Sequence, residues 1–184
     1  MAAAAAPATH PYLEEISRLF YNYRLAQFNR RYYTVLLERA KTRNLWTQVS
    51  IGVFTVTAAA LFSLTPSFPS LSTRLAQAAA VLSAFAFVAT VVAPVFGWNQ
   101  TIDELTTRVH AWHYAERQLE SALRFLNHSA QSERDAELQV QFADEAFRTA
   151  DGLPDTSKQN MKLTRRIREE VEKAIPPDYV WTAL

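Results

Sequence analysis

The sequence has no cysteine, only three glycines, and almost no charge in its middle. Without cysteine there is no disulfide, no thiolate metal site, no iron–sulfur cluster and no thiol nucleophile. The glycines, Gly52, Gly97 and Gly152, lie far apart. Phosphate-cradling and dinucleotide-binding loops need several glycines close together, so both are excluded. The third shortage is the most informative. From Asn44 to Ile102 the only Asp, Glu, Lys or Arg is Arg74.

That interval divides into two apolar runs, Leu45–Leu64 and Leu75–Phe96, joined by Thr65–Arg74 with Pro66 and Pro69. A hydrocarbon core about 30 Å thick takes about 20 helical residues, and each run supplies them. Mean hydropathy is near neutral only because the flanking segments are polar. The fold class expected is an all-α membrane protein, a two-helix transmembrane hairpin with long cytosolic helices before and after it. Four segments follow: a flexible N-terminus at 1–11, a basic cytosolic helix at 12–43, the hairpin at 44–98 with spans near 45–64 and 75–96, and a cytosolic helical region at 99–184. The opening MAAAAAPATHP has neither a basic n-region nor an apolar h-region, so the first run reads as an uncleaved anchor.

The net charge of +1 conceals an asymmetry. Residues 1–43 carry seven Lys or Arg against three acids, and the residues after Ile102 carry eleven against fifteen. Cationic side chains flanking a span stay on the cytoplasmic side. Arg39, Lys41 and Arg43 precede the first span, with Trp46 and Trp98 as matching interfacial anchors. The expected location is a bacterial inner membrane with both termini cytoplasmic.

Apolar residues at Leu13, Ile16, Phe20, Tyr23, Tyr33 and Leu37 recur at helical spacing, and no breaker separates this helix from the first span. Pro94 is placed to kink the second span. From Thr101 to about Asn127, the residues Leu105, Val109, Trp112, Leu119, Leu123 and Leu126 form a coiled-coil-like seam, interrupted by Glu116. A further helix is expected over Ser132–Ala150, ended by Gly152 and Pro154, and a last one over Thr156–Ala174 capped by Asp155 or Thr156.

Little here promises bond-making chemistry. His110 and His113 share a helix face with Glu116 and Glu120, a spacing that can hold a metal, but the HExxH pattern is absent and no metal or cofactor is expected. No GxSxG frames a nucleophile. Arg165, Arg166 and Arg168 are followed by Glu169 and Glu170 and read as a solvated helix face, so no nucleic acid is expected. The chain is read as a non-enzyme.

The spans carry small residues at helix-packing intervals: Ala76, Ala80 and Ala84; Ala89, Ala93 and Gly97; and Gly52 on the first span. Small residues allow close helix approach in lipid, which points to a homo-oligomer in the bilayer. Two spans cannot enclose water, so a pore needs several copies, lined by Gln48, Thr55, Gln77, Ser83 or Thr90. Glu116 is costly in a buried seam without a partner. It either pairs with Arg108 or Arg117 of a neighbouring subunit and sets the oligomer register, or stays solvated in an open seam.

The segment FNRRYYTVLLERAKTRNLWTQ, Phe28–Gln48, followed by a tight two-span unit and a helical tail, resembles the SLATT family of SMODS- and SLOG-associating two-transmembrane effectors. The resemblance covers the chain from about Tyr12 to the last helix. It implies an effector of a prokaryotic anti-phage conflict system, with a nucleotide second-messenger synthetase or sensor encoded nearby. Once triggered, such an effector assembles or opens in the inner membrane and stops growth. The alternative reading is a membrane-anchored scaffold whose cytosolic helices recruit a partner.

Overall fold

The computed structural model describes residues 13–95, 97–128, 133–155 and 160–176, with no side-chain description at 92–95. Among the described residues 92% are helical and none lies in a strand. The elements are α1 (Leu13–Leu64), a 3₁₀ turn (Thr65–Ser67), α2 (Ser72–Val95), α3 (Trp98–His128), α4 (Glu133–Asp151) and α5 (Met161–Ala174). Two of these helices, α1 and α2, are long and apolar enough to cross a membrane. The contacts form two units. One gathers the described residues up to Thr34 and from Thr106 onward; the other runs Val35–Leu105.

In the first unit the start of α1 shares a core with α3, α4 and α5. Ile16, Leu19, Leu119, Leu123, Leu126 and Ile167 are its largest fully buried side chains. Burying each from water stabilises the fold by about 1.5–3 kcal/mol. The apolar stripe of α3 is therefore filled by the chain's own helices, with Trp112 edge-on to Phe147 of α4 at 5.5 Å. The buried face of α4 is alanine alone: Ala136, Ala143, Ala146 and Ala150. The stripe of α5 is Leu163, Ile167 and Val171, spaced by four.

Two helix boundaries differ from expectation. The last helix begins at Met161, not Thr156, and its cap is Asn160, whose Oδ1 accepts from Leu163 N at 3.1 Å. Asp155 is engaged elsewhere, by Tyr33 and Arg108. Thr156 lies outside the described residues. The helix after the second apolar run begins at Trp98 rather than Thr101. Gly97 makes this early start: its φ of +58° is left-handed, which suits a residue without a Cβ. Its carbonyl accepts from Thr101 N at 2.9 Å, opening α3. Pro94 falls in the last turn of α2, one residue before the helix ends.

In the second unit α1 runs to Leu64 without a break, as its lack of proline predicts. The 3₁₀ turn starts Thr65-Pro66, and Ser72 Oγ donates to the Pro69 carbonyl at 2.9 Å as α2 begins. Among the described residues of the apolar stretches, Ala58, Ala79 and Ala86 are buried.

Candidate functional site

The apolar helices present most of their surface outward. Only 6% of the apolar window of α1 and 11% of that of α2 are buried. Val53, Val56, Phe62, Phe85, Phe87 and Val88 are all more than half exposed. One groove of about 470 Å³ runs between the two helices, lined by Thr55, Ala58, Ala59 and Phe62 from α1 and by Ser83, Ala86, Phe87 and Thr90 from α2. Thr55, Ser83 and Thr90 are thus brought together, whereas Gln48 and Gln77 are exposed outside the groove. Thr55 Oγ1 donates to the Ile51 carbonyl at 2.9 Å and Thr90 Oγ1 to that of Ala86 at 2.7 Å. Satisfied this way, both hydroxyls are tolerable in an apolar setting.

The small residues divide by face. Ala80 and Ala84 are exposed, and Ala76 and Ala89 half-buried. The side chain of Ala93 lies outside the described residues. A Cβ on Gly52 would meet nothing within 4 Å, so nothing within the chain requires glycine there. Of the edge residues, Arg39, Lys41, Arg43 and Trp46 are exposed and Trp98 is half-buried in the first turn of α3.

Glu116 is buried and finds its cation inside the chain. Arg30 Nη1 of α1 lies 2.8 Å from its Oε2. The same Nη1 is 3.3 Å from His113 Nδ1. A guanidinium only donates, so in this contact Nδ1 is the acceptor. Nearby, Gln27 Nε2 donates to the Tyr23 hydroxyl at 2.9 Å. Burial, then the Glu120 and Glu116 carboxylates, push the Tyr23 phenol up from its ordinary value.

Arg108 is buried as well. Its Nη1 donates to the Tyr33 hydroxyl at 2.8 Å and lies 3.4 Å from Asp155 Oδ1, while its guanidinium carbon sits 4.9 Å from the centre of the Tyr33 ring. Tyr33 donates in turn to Asp155 Oδ2 at 3.0 Å. Desolvation, opposed by Arg108 and helped by the bond to Asp155, pushes the Tyr33 phenol up to about 12. The network ties α1, α3 and the segment after α4.

Nothing in the local sequence marks Arg30, Tyr33 and Asp155 as partners of the buried Glu116 and Arg108. Arg108 between Leu105 and Val109 was the one available signal, an arginine embedded in an apolar stripe. Among the described residues no group of three or more His, Cys, Asp or Glu is placed to hold a metal ion. Compared with protein-family models, curated proteins and solved structures, the chain matches none of them.

Proposed function

We propose that this chain is a membrane effector of a prokaryotic anti-phage system, which oligomerises in the bacterial inner membrane and opens a pore or disrupts the bilayer. The observation that carries the membrane reading is the bareness of α1 and α2. A core helix of a soluble protein buries most of its apolar face, and these two bury almost none of theirs. A cleaved signal sequence fits poorly, because the same α1 contributes Ile16 and Leu19 to a packed core. In this reading the two helices form a transmembrane hairpin, and Arg39, Lys41 and Arg43 keep both termini cytoplasmic.

The effector part rests on the resemblance of Phe28–Gln48 and of the helix order to SLATT proteins. The groove hydroxyls of Thr55, Ser83 and Thr90 supply polar groups that neighbouring copies would bring around water. A nucleotide-signalling synthetase or sensor would supply the trigger. The test is inducible expression with the neighbouring genes, followed by phage challenge and a potential-sensitive dye. Depolarisation and dye entry are expected. An intact membrane potential under confirmed activation would sink the pore reading.

The second reading, a membrane-anchored adaptor, draws on Leu138 and Phe142, which sit four residues apart and exposed on α4. The stripe of α3 is unsuited to that task because it is already filled. Replacing both apolar stretches by polyleucine spans separates the readings: retained activity favours the adaptor, lost activity with normal insertion favours the effector.

A further inference from the structure

A cleft of about 280 Å³ opens in the first unit between α1 and α5, lined by Tyr21, Arg24, Leu25 and Phe28 from α1 and by Arg168, Val171 and Glu172 from α5. Its charges are unusual for this helix pair. On α5, Arg165 pairs with Glu169 at 3.2 Å and Arg166 with Glu170 at 2.9 Å. Arg168 and Glu172 have the same four-residue spacing but make no such pair among the described residues. Arg24 has no carboxylate partner there either, and its Nε is buried without an acceptor. Two guanidiniums thus border one cleft, neither in an ion pair among the described residues.

The aromatic wall is held in place. Phe28 stacks on Tyr32, with ring centres 6.0 Å apart and planes within 16°. Tyr32 packs edge-on to Tyr33 at 5.4 Å, and its hydroxyl accepts from the backbone N of Asn160, the cap of α5, at 3.2 Å. The ring facing the cleft is therefore fixed through the start of the helix that brings Arg168.

We infer that this cleft binds a small phosphorylated molecule carrying an aromatic ring, with Arg24 and Arg168 on the phosphate and Phe28 and Tyr21 against the ring. Guanidinium groups match phosphate by paired, charge-assisted hydrogen bonds. Aromatic side chains add stacking that a bare anion cannot use. Glu172 at the same cleft opposes the anion and sets a limit on its charge. The inference does not depend on the membrane function.

Phenyl phosphate is the probe, titrated calorimetrically into the full chain in detergent, with inorganic phosphate alongside. Saturable binding is expected with a dissociation constant below about 1 mM, and weaker binding of inorganic phosphate. Arg168→Gln, an exposed position, should weaken phenyl phosphate binding by about tenfold or more. Glu172→Gln should tighten it, a change of opposite sign that general unfolding does not produce. Arg24→Lys keeps the positive charge but loses the fork, and should also weaken binding. No saturable heat, equal binding of inorganic phosphate, or an affinity indifferent to Arg168→Gln overturns the inference.

Discussion

Arg30 and Glu116 meet at 2.8 Å, yet their side chains differ in exposure, 32% for the arginine and 8% for the carboxylate. The arginine retains water on one side and the glutamate has almost none. Removing either partner therefore has unequal effects. Arg30→Ala strands a buried carboxylate and should cost about 3 kcal/mol. Glu116→Leu leaves a cation that turns to solvent and should cost less. Denaturant unfolding of the two variants in one detergent checks the order, and an equal loss would remove the asymmetry argument.

Tyr33 gives the fold a pH limit. Its folded value of about 12 stands above the ordinary phenol value of 10.0. A raised value means the folded state keeps its proton while the unfolded chain loses it. The stability from this group is complete below pH ~10 and falls as pH rises toward ~12. Tyr33→Phe should flatten that fall. Melting temperatures between pH 8 and pH 12 provide the reading, and an unchanged slope would refute it.

The cap of α5 can be tested alone. Asn160→Ala removes the acceptor for Leu163 N and should cost about 1 kcal/mol. Asn160→Asp retains an acceptor and should cost less. Chemical denaturation monitored by far-ultraviolet circular dichroism measures both.

Gly52, inside the first apolar stretch, and Gly97, after the second, should respond in opposite directions. Gly97→Ala forces a Cβ into a left-handed residue and should destabilise by about 1 kcal/mol. Gly52→Ala meets open space within a helix and should be neutral or stabilising. Thermal unfolding in detergent distinguishes them, and matching shifts would contradict the assigned geometry.

The alanines separate packing within the chain from packing between chains. Ala86→Leu overfills a buried position and should cost about 1–3 kcal/mol. Ala80→Leu adds bulk at an exposed one, so stability should hold while any assembly through that face is lost. Cross-linking in native membranes reports the second effect. An unchanged oligomer ladder for Ala80→Leu would remove that face from the interface.

Much of the helical layout was legible because it depends on near neighbours. The unbroken α1 follows from the absence of proline, and the end of α4 follows from Gly152, whose amide donates back to the Arg148 carbonyl at 2.9 Å. The polar centres were not legible. Arg108 and Tyr33 are 75 residues apart, and no local pattern announces that pairing. The start of α5 was misplaced for a related reason: Asp155 is as good a cap as Asn160 by residue type, but its carboxylate is held by Tyr33 and Arg108. At Glu116 the heptad pattern pointed to Arg108 or Arg117 of a neighbouring subunit, or to a solvated carboxylate, and not to a cation from the same chain. The source is Arg30, from a helix made long before.

That order has a consequence for biosynthesis. The beginning of α1 leaves the ribosome well before its partners: His113 is 83 residues beyond Arg30, Asp155 is 122 beyond Tyr33, and Asn160 is 128 beyond Tyr32. Both apolar stretches are synthesised in between. Until they have passed, Ile16, Leu19 and Tyr33 have no core to enter, and exposed apolar residues of that kind invite aggregation. The newborn start of α1 must be shielded during translation, so a shortage of chaperones should reduce the yield of this protein before it reduces the stability of the finished one.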